Sequence, residues 1–211
     1  MTTRTSGDGT AQGHKEKINQ LRAAQVQKDR RRQLWVRIAS IGATVAVIAI
    51  IAAMMLSSRQ ETSATTRVAP DFTLTNTAGA SVSLAAMRGK NVLLFFSEGA
   101  GCQACLVQMS QMEKDPAFAK AGLTVLPIVM NTKEQIVADM AANGVRTPFL
   151  LDDGTVTKAY GVLGKGMHAE LPGHGFVLID KAGKQRWYGE YPSMFLSNAD
   201  LLKEVQSRLS S

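Results

Sequence analysis

Residues 91–105 read NVLLFFSEGAGCQAC. The unbroken apolar run from Val92 to Phe96 is too short for a helix and has no polar alternation, the pattern of a central strand buried on both faces. Glu98-Gly99-Ala100-Gly101 then delivers the chain to a loop. The residues that follow place Cys105, Met109 and Met112 on one face of a helix. A strand, a glycine-rich loop and a helix in that order start a crossover unit, whose partner strand must run parallel.

Outward from this unit, strand and helix patterns alternate. Upstream, Asp71 to Leu74 and Ala80 to Leu84 flank Asn76-Thr77-Ala78-Gly79, as in a hairpin. Downstream, Leu123 to Met130 is a second buried strand, with Pro127 expected at a bulge or strand end. Lys133 to Asn143 reads as a helix stopped by Gly144. Pro148 to Leu151 follows as a short strand and Thr155 to Tyr160 as a short helix. Phe176 to Ile179 and Gln185 to Tyr188 form a late hairpin around Asp180-Lys181-Ala182-Gly183-Lys184. The last helix has Ser197 as N-cap, Asp200 as its capping-box acid, and Leu201, Leu202, Val205 and Leu209 inward. The order β-β-β-α-β-α-β-α-β-β-α predicts an α/β three-layer sandwich, a central mixed sheet with helices on both faces.

Four regions are expected along the 211 residues, enough for one ordinary domain with an appendage. Residues 1–37 carry nine Lys or Arg against three Asp or Glu, so +6 of the formal +7 sits there. They read as a basic tail, disordered to Gly13. The remainder is nearly neutral, which argues against a nucleic-acid partner. Residues 38–56, IASIGATVAVIAIIAAMML, are 19 residues without a charge, enough to cross about 30 Å of hydrocarbon as a helix. Arg30, Arg31, Arg32 and Arg37 precede them and only Arg59 closely follows, so the N-terminus is expected in the cytoplasm. The lipid bilayer is therefore an expected partner, through an uncleaved anchor. Residues 57–67 read as a polar tether and 68–211 as an extracytoplasmic folded domain.

The chemistry concentrates in Gly101-Cys102-Gln103-Ala104-Cys105, which holds both cysteines of the chain. Three residues apart at a helix start, their side chains meet on one side. The helix N-terminus stabilises a thiolate at Cys102 by about 0.3 to 2 kcal/mol. Chain order then assigns Cys102 as the attacking sulfur and Cys105 as the resolving one. Glu98, if close, would oppose the thiolate or shuttle its proton. A purely structural disulfide over so short a loop stabilises little. A zinc site would need four ligands, and the only histidines are His14, His168 and His174. No resident metal or cofactor is expected. His174 is a candidate for proton transfer, with a solvated strand-edge histidine as the plainer reading.

The domain resembles the alkyl hydroperoxide reductase and thiol-specific antioxidant family of thioredoxin-fold redoxins. The resemblance rests on Ala69-Pro70-Asp71-Phe72-Thr73-Leu74, on Arg88-Gly89-Lys90-Asn91-Val92-Leu93-Leu94, on the cysteine pair, and on Phe176-Val177-Leu178-Ile179-Asp180 with Gly183. It implies Cys102 as the attacking thiol, Cys105 as its partner, and a cis-proline loop that receives substrate as an added strand. Pro172 is the candidate for that proline and Pro148 its competitor. The peroxidase members resemble Pro, three residues, Thr or Ser, two residues, Cys, with a later Arg. Here Phe95, Gly99 and Gly173 occupy those positions.

The expected function is a membrane-tethered thiol-disulfide oxidoreductase that meets a protein thiol or disulfide client and a redox partner that resets the pair. The alternative within the same family is a thiol-dependent peroxidase. A third reading is a Cu(I) carrier using Cys102, Cys105 and His174 or His168.

Overall fold

A computed structural model of the chain describes residues 35–51, 62–63 and 66–210. The chain divides into two units, 1–57 and 58–211. In the first, residues 35–51 form a helix, α1, whose large apolar side chains, from Trp35 and Ile38 to Ile50 and Ile51, are all exposed. Among the described residues no helix is long and apolar enough to cross a membrane. The expected span is described only as far as residue 51; residues 52–56 and the basic tail up to residue 34 lie outside the described residues.

The second unit is built on one mixed sheet. Its strands are β1 (Thr62–Ser63), β2 (Arg67–Val68), β3 (Thr73–Asn76), β4 (Ser81–Ser83), β5 (Asn91–Phe96), β6 (Leu123–Val129), β7 (Leu150–Leu151), β8 (Gly175–Ile179) and β9 (Lys184–Glu190). They lie in the order β1-β9-β8-β5-β6-β7-β3-β4, with β2 also paired to β9. β5 is parallel to β6 and antiparallel to β8, and β6 is parallel to β7. The helices are α2 (Gln103–Lys114), α3 (Pro116–Lys120), α4 (Lys133–Ala142), α5 (Thr155–Ala159) and α6 (Asn198–Leu209). The expected alternation is therefore present, with two short strands, β1 and β2, added ahead of it, a 3-10 turn at Ala85–Met87 before β5, and one short helix, α3, added after α2.

Handedness decides which face α2 and α4 cover. The chain steps from β5 to β6 to β7 in one direction, so two right-handed crossovers put α2 and α4 on the same face. α5 lies in the connection from β7 to the antiparallel β8, which this rule does not govern, and its Val156 packs on the opposite face. Packing follows this division. Leu93 and Phe95 of β5 meet Cys105, Leu106, Met109, Ile136 and Leu201 in one core. Val92, Leu94 and Phe96 meet Val156 and Tyr160 in the other. All five apolar side chains of β5 are at most 1% exposed, which accounts for a strand with no polar position.

Two expectations about this sheet change. Pro127 lies inside β6 in unbroken register, opposite Phe95, not at a bulge. The carbonyl of its neighbour Ile128 accepts the Ser97 N–H at 3.3 Å and so points at the β5 side. The backbone of Pro127 therefore faces the β7 side, where pairing begins only at Ile128, and its missing N–H interrupts no ladder. In addition, part of the segment read as a polar tether pairs with the sheet. Arg67 lies opposite Gln185 in the β2–β9 register, and its Nε donates to Gln185 Oε1 at 2.9 Å.

Candidate active site

The site lies at the carboxyl ends of the parallel strands β5 and β6, where the loops that follow adjacent strands meet. β5 ends at Phe96, and the chain turns through Ser97–Gly101 into α2. Gly99 takes φ +77°, and a Cβ there would sit 2.0 Å from Asn131 Oδ1 and 2.8 Å from Val129 Cγ1. Both the left-handed backbone and the lack of room demand glycine. Cys102 caps α2: its N–H donates to the Gly99 carbonyl at 3.0 Å, and its sulfur accepts the Cys105 N–H at 3.3 Å.

Cys102 and Cys105 form a disulfide, with Cα atoms 5.3 Å apart. Cys105 is fully buried in the α2-side core, whereas Cys102 is half-buried, so an incoming sulfur meets Cys102 first. The free peptide N–H groups of the first helical turn favour a thiolate at Cys102 once the disulfide is open. No acidic residue lies in that turn to oppose it.

The other candidate residues are placed separately. Glu98 is buried, and its carboxylate accepts the Met167 N–H at 3.0 Å and lies 3.0 Å from His168 Nδ1. The pairing of Glu98 with the loop around residues 166–168 was not readable from the sequence. His174 is fully buried and not solvated at a strand edge. Its ring packs edge-on to Phe95 and Phe176, with centroids 4.9 and 5.7 Å away. Neither ring nitrogen has a hydrogen-bond partner among the described residues, and burial pushes its pKa down to about 4. A neutral imidazole sealed among aromatic rings is poorly suited to deliver a proton at neutral pH.

Pro172 corrects a further expectation. Among the described residues every peptide bond is trans, including those before Pro172 and Pro148. Pro172 is buried and bridges Leu163 in an antiparallel pair. The Gly164 N–H donates to the Leu171 carbonyl at 2.9 Å, and the Gly173 N–H to the Val162 carbonyl at 3.0 Å. An extended trans segment satisfies this small ladder. At Gly173, a Cβ would lie 2.0 Å from Glu190 Oε1, so an arginine cannot replace it without displacing that carboxylate. Among the described residues no group of three or more His, Cys, Asp or Glu side chains converges as a metal site, and the copper reading lacks its third ligand.

Sequence reasoning missed three polar residues that hold the Cys102 loop. Asn131 Oδ1 accepts the Ala100 N–H at 2.9 Å, and Asp139 Oδ2 accepts the Gly101 N–H at 2.9 Å. Asn143 Oδ1 accepts from Gln103 Nε2 at 2.5 Å. No motif marks them. Their signal is topological: they belong to the segment that follows β6, the parallel neighbour of β5.

A cysteine pair at the start of the helix that follows a central parallel strand, in a mixed sheet covered on both faces, defines a thioredoxin-like redox domain. Residues 65–188 match the AhpC/TSA family, and the chain belongs to it. A relative from Mycobacterium tuberculosis strain H37Rv, which carries the name of a peroxiredoxin, is 34% identical over 99 residues. That alignment covers 46% of this chain and 63% of the relative's length, so the chain spans less than two thirds of the curated relatives it matches. Among solved structures, the reduced 2-Cys peroxiredoxin of Plasmodium vivax is similar in fold, with a TM-score of 0.58 at 21% identity. The match covers 69% of this chain and 96% of that one. A Bacteroides thetaiotaomicron protein described as a disulfide isomerase is similar at 28% identity and a TM-score of 0.54, over 69% of this chain and 89% of that one.

Proposed function

We propose that the chain is a thiol-disulfide oxidoreductase that cycles Cys102 and Cys105 between dithiol and disulfide. The observation that carries this reading is the half-buried Cys102 at the tip of α2, disulfide-linked to a fully buried Cys105 one turn on. In the reducing direction, the Cys102 thiolate attacks a client disulfide and forms a mixed disulfide, releasing one client thiolate. Cys105, deprotonated, then attacks the Cys102 sulfur and releases the second client thiolate. Two electrons pass to the client and the Cys102–Cys105 disulfide forms; an external dithiol resets it. Glu98, buried near the start of the same loop and paired with His168, is the candidate proton carrier for this exchange through that pair.

The second reading, a thiol-dependent peroxidase, is favoured by the family and by the names of its relatives. There the Cys102 thiolate would attack a peroxide oxygen and break the O–O bond, becoming a sulfenic acid and releasing water or an alcohol; condensation with the Cys105 thiol would then form the disulfide and expel a further water. Gly99 and Gly173 stand where the resemblance expects peroxide-activating groups, so that set is incomplete in this chain.

We also propose that residues 38–56 anchor the chain in a bilayer with the basic tail in the cytoplasm and the redox domain beyond it. The support is the charge-free run, the arginines before it, and the exposed apolar side chains along α1.

Stopped-flow mixing of the reduced full chain with a glutathionylated peptide and, separately, with hydrogen peroxide separates the two chemistries. Faster thiol loss with the mixed disulfide is expected. Cys102→Ser abolishes it, and Cys105→Ser stops at a trapped Cys102 adduct. Rapid peroxide consumption beside inert disulfides would reverse the order of the two readings.

A further inference from the structure

The three contacts to the Cys102 loop come from one segment, Asn131 to Asn143, and fall on both sides of the attacking cysteine. Asn131 holds Ala100, Asp139 holds Gly101, and Asn143 holds Gln103. The holders are themselves fixed. Asn131 packs directly over the Cα of Gly99, and Asn143 Nδ2 donates to the Asp139 carbonyl at 2.8 Å. All three are half-buried; the Asn131–Ala100 bond is partly shielded from water, whereas the partners of Asp139 and Asn143, Gly101 and Gln103, are exposed.

We propose that this segment is a three-point clamp on the Cys102 loop, with Asn131, Asp139 and Asn143 as positioning residues and Asp139, its charged member, biasing the cysteine pair toward the reducing direction. The inference rests on the thiol-disulfide reading above. A clamp of side chains on peptide N–H groups keeps the loop in place whether the disulfide is open or closed, so Cys102 stays where a client can reach it. The charge acts separately. With no acid in the first turn of α2, the carboxylate that reaches the loop comes from α4, one peptide away from Cys102. A negative charge there disfavours the Cys102 thiolate and so favours the disulfide, which makes the dithiol a better electron donor. The other titratable groups around the loop are otherwise engaged: Glu98 is turned to Met167 and His168, and His174 is buried neutral. On α4 itself, Lys133 and Glu134 are exposed at the far, N-terminal end.

Asp139→Asn keeps an oxygen acceptor for the Gly101 N–H and removes the charge; Asp139→Ala removes both. The full chain is reduced and titrated with iodoacetamide between pH 5 and 9, with Cys102 and Cys105 resolved by mass mapping. It is then equilibrated with glutathione buffers at pH 8. For Asp139→Asn the Cys102 midpoint should fall by roughly half a pH unit, and the disulfide should weaken against glutathione roughly three-fold, the counterpart of that shift. For Asp139→Ala, exchange with a glutathionylated peptide should also slow several-fold, and Asp139→Asn should restore most of that rate. A wild-type midpoint and wild-type equilibrium in Asp139→Asn would overturn the charge effect, and a wild-type exchange rate in Asp139→Ala would overturn the clamp. If the native chain fails to exchange disulfides at all, the functional reading falls. The alkylation midpoints would still report on Asp139.

Discussion

His174 shows how far one buried side chain can move the behaviour of a fold. Its ring fills a slot between Phe95 and Phe176, and nothing polar compensates the loss of water, so the neutral form is strongly favoured, with a pKa of about 4. In the unfolded chain the same imidazole titrates near 6.5. Between these values the unfolded state binds a proton that the folded state refuses, so stability rises with pH across this window. Falling from pH 7 to pH 4 should therefore cost about 3 kcal/mol from this residue alone. Replacing it by phenylalanine, which suits the aromatic surroundings, should leave stability at pH 7 near native and flatten the acid limb. Urea unfolding at pH 7, 6, 5 and 4 measures both. An unchanged acid limb in His174→Phe would mean that other groups set it. The sequence identified His174 as a residue of interest but misjudged its surroundings, because burial of a histidine ahead of a strand depends on what closes over it. Cys102 and Cys105 were legible for the opposite reason: their relation is set by one helical turn.

Elements carry the next level of information. α2 is fixed at its first turn by the α4 clamp and near its last by Glu113. That carboxylate accepts the Arg146 N–H at 3.0 Å, the Thr147 N–H at 2.9 Å and the Thr147 hydroxyl at 2.9 Å. Burial alone would raise the pKa of Glu113, but the Thr147 and Arg146 hydrogen bonds outweigh it and hold the carboxyl below its ordinary range. A carboxyl with a lowered folded pKa contributes stability above its unfolded pKa, and that contribution is lost as pH falls through the folded one. Glu113→Ala should cost about 1 to 3 kcal/mol at pH 7 by leaving these donors without their acceptor. The penalty should shrink in acid, and denaturant midpoints at pH 7 and pH 3 read the difference. A cost that is the same at both would show that the charge is irrelevant. Elements marked by periodicity and caps, such as β5, the late hairpin and α6, were recoverable from local pattern. The cross-links between elements were not. Asn131 and Asp139 lie 31 and 38 residues from the peptides they hold, and neither stands in a pattern that marks it.

At the scale of the molecule, the alternation of strands and helices was enough to predict a mixed sheet covered on both faces; which helix covers which face needed the strand order of the folded sheet. The remaining question is where the redox domain works, and the composition of the chain supplies a direct test. It has only two cysteines, both in the active site, so a thiol reagent that cannot cross a bilayer reports the side on which the site lies. If residues 38–56 span the membrane with the basic tail in the cytoplasm, the full chain expressed in bacterial cells should resist alkaline carbonate extraction. After mild reduction, Cys102 should be modified in intact spheroplasts by an impermeant maleimide. A lysine in place of Val47, near the middle of the run, should cost about 2.5 to 3.5 kcal/mol of insertion and move part of the protein out of the carbonate-resistant fraction. Quantitative extraction of the native chain by carbonate would remove the anchor. Labelling that appears only after lysis would keep the anchor but reverse the topology, placing the cysteine pair in a compartment whose thiol pool holds it reduced.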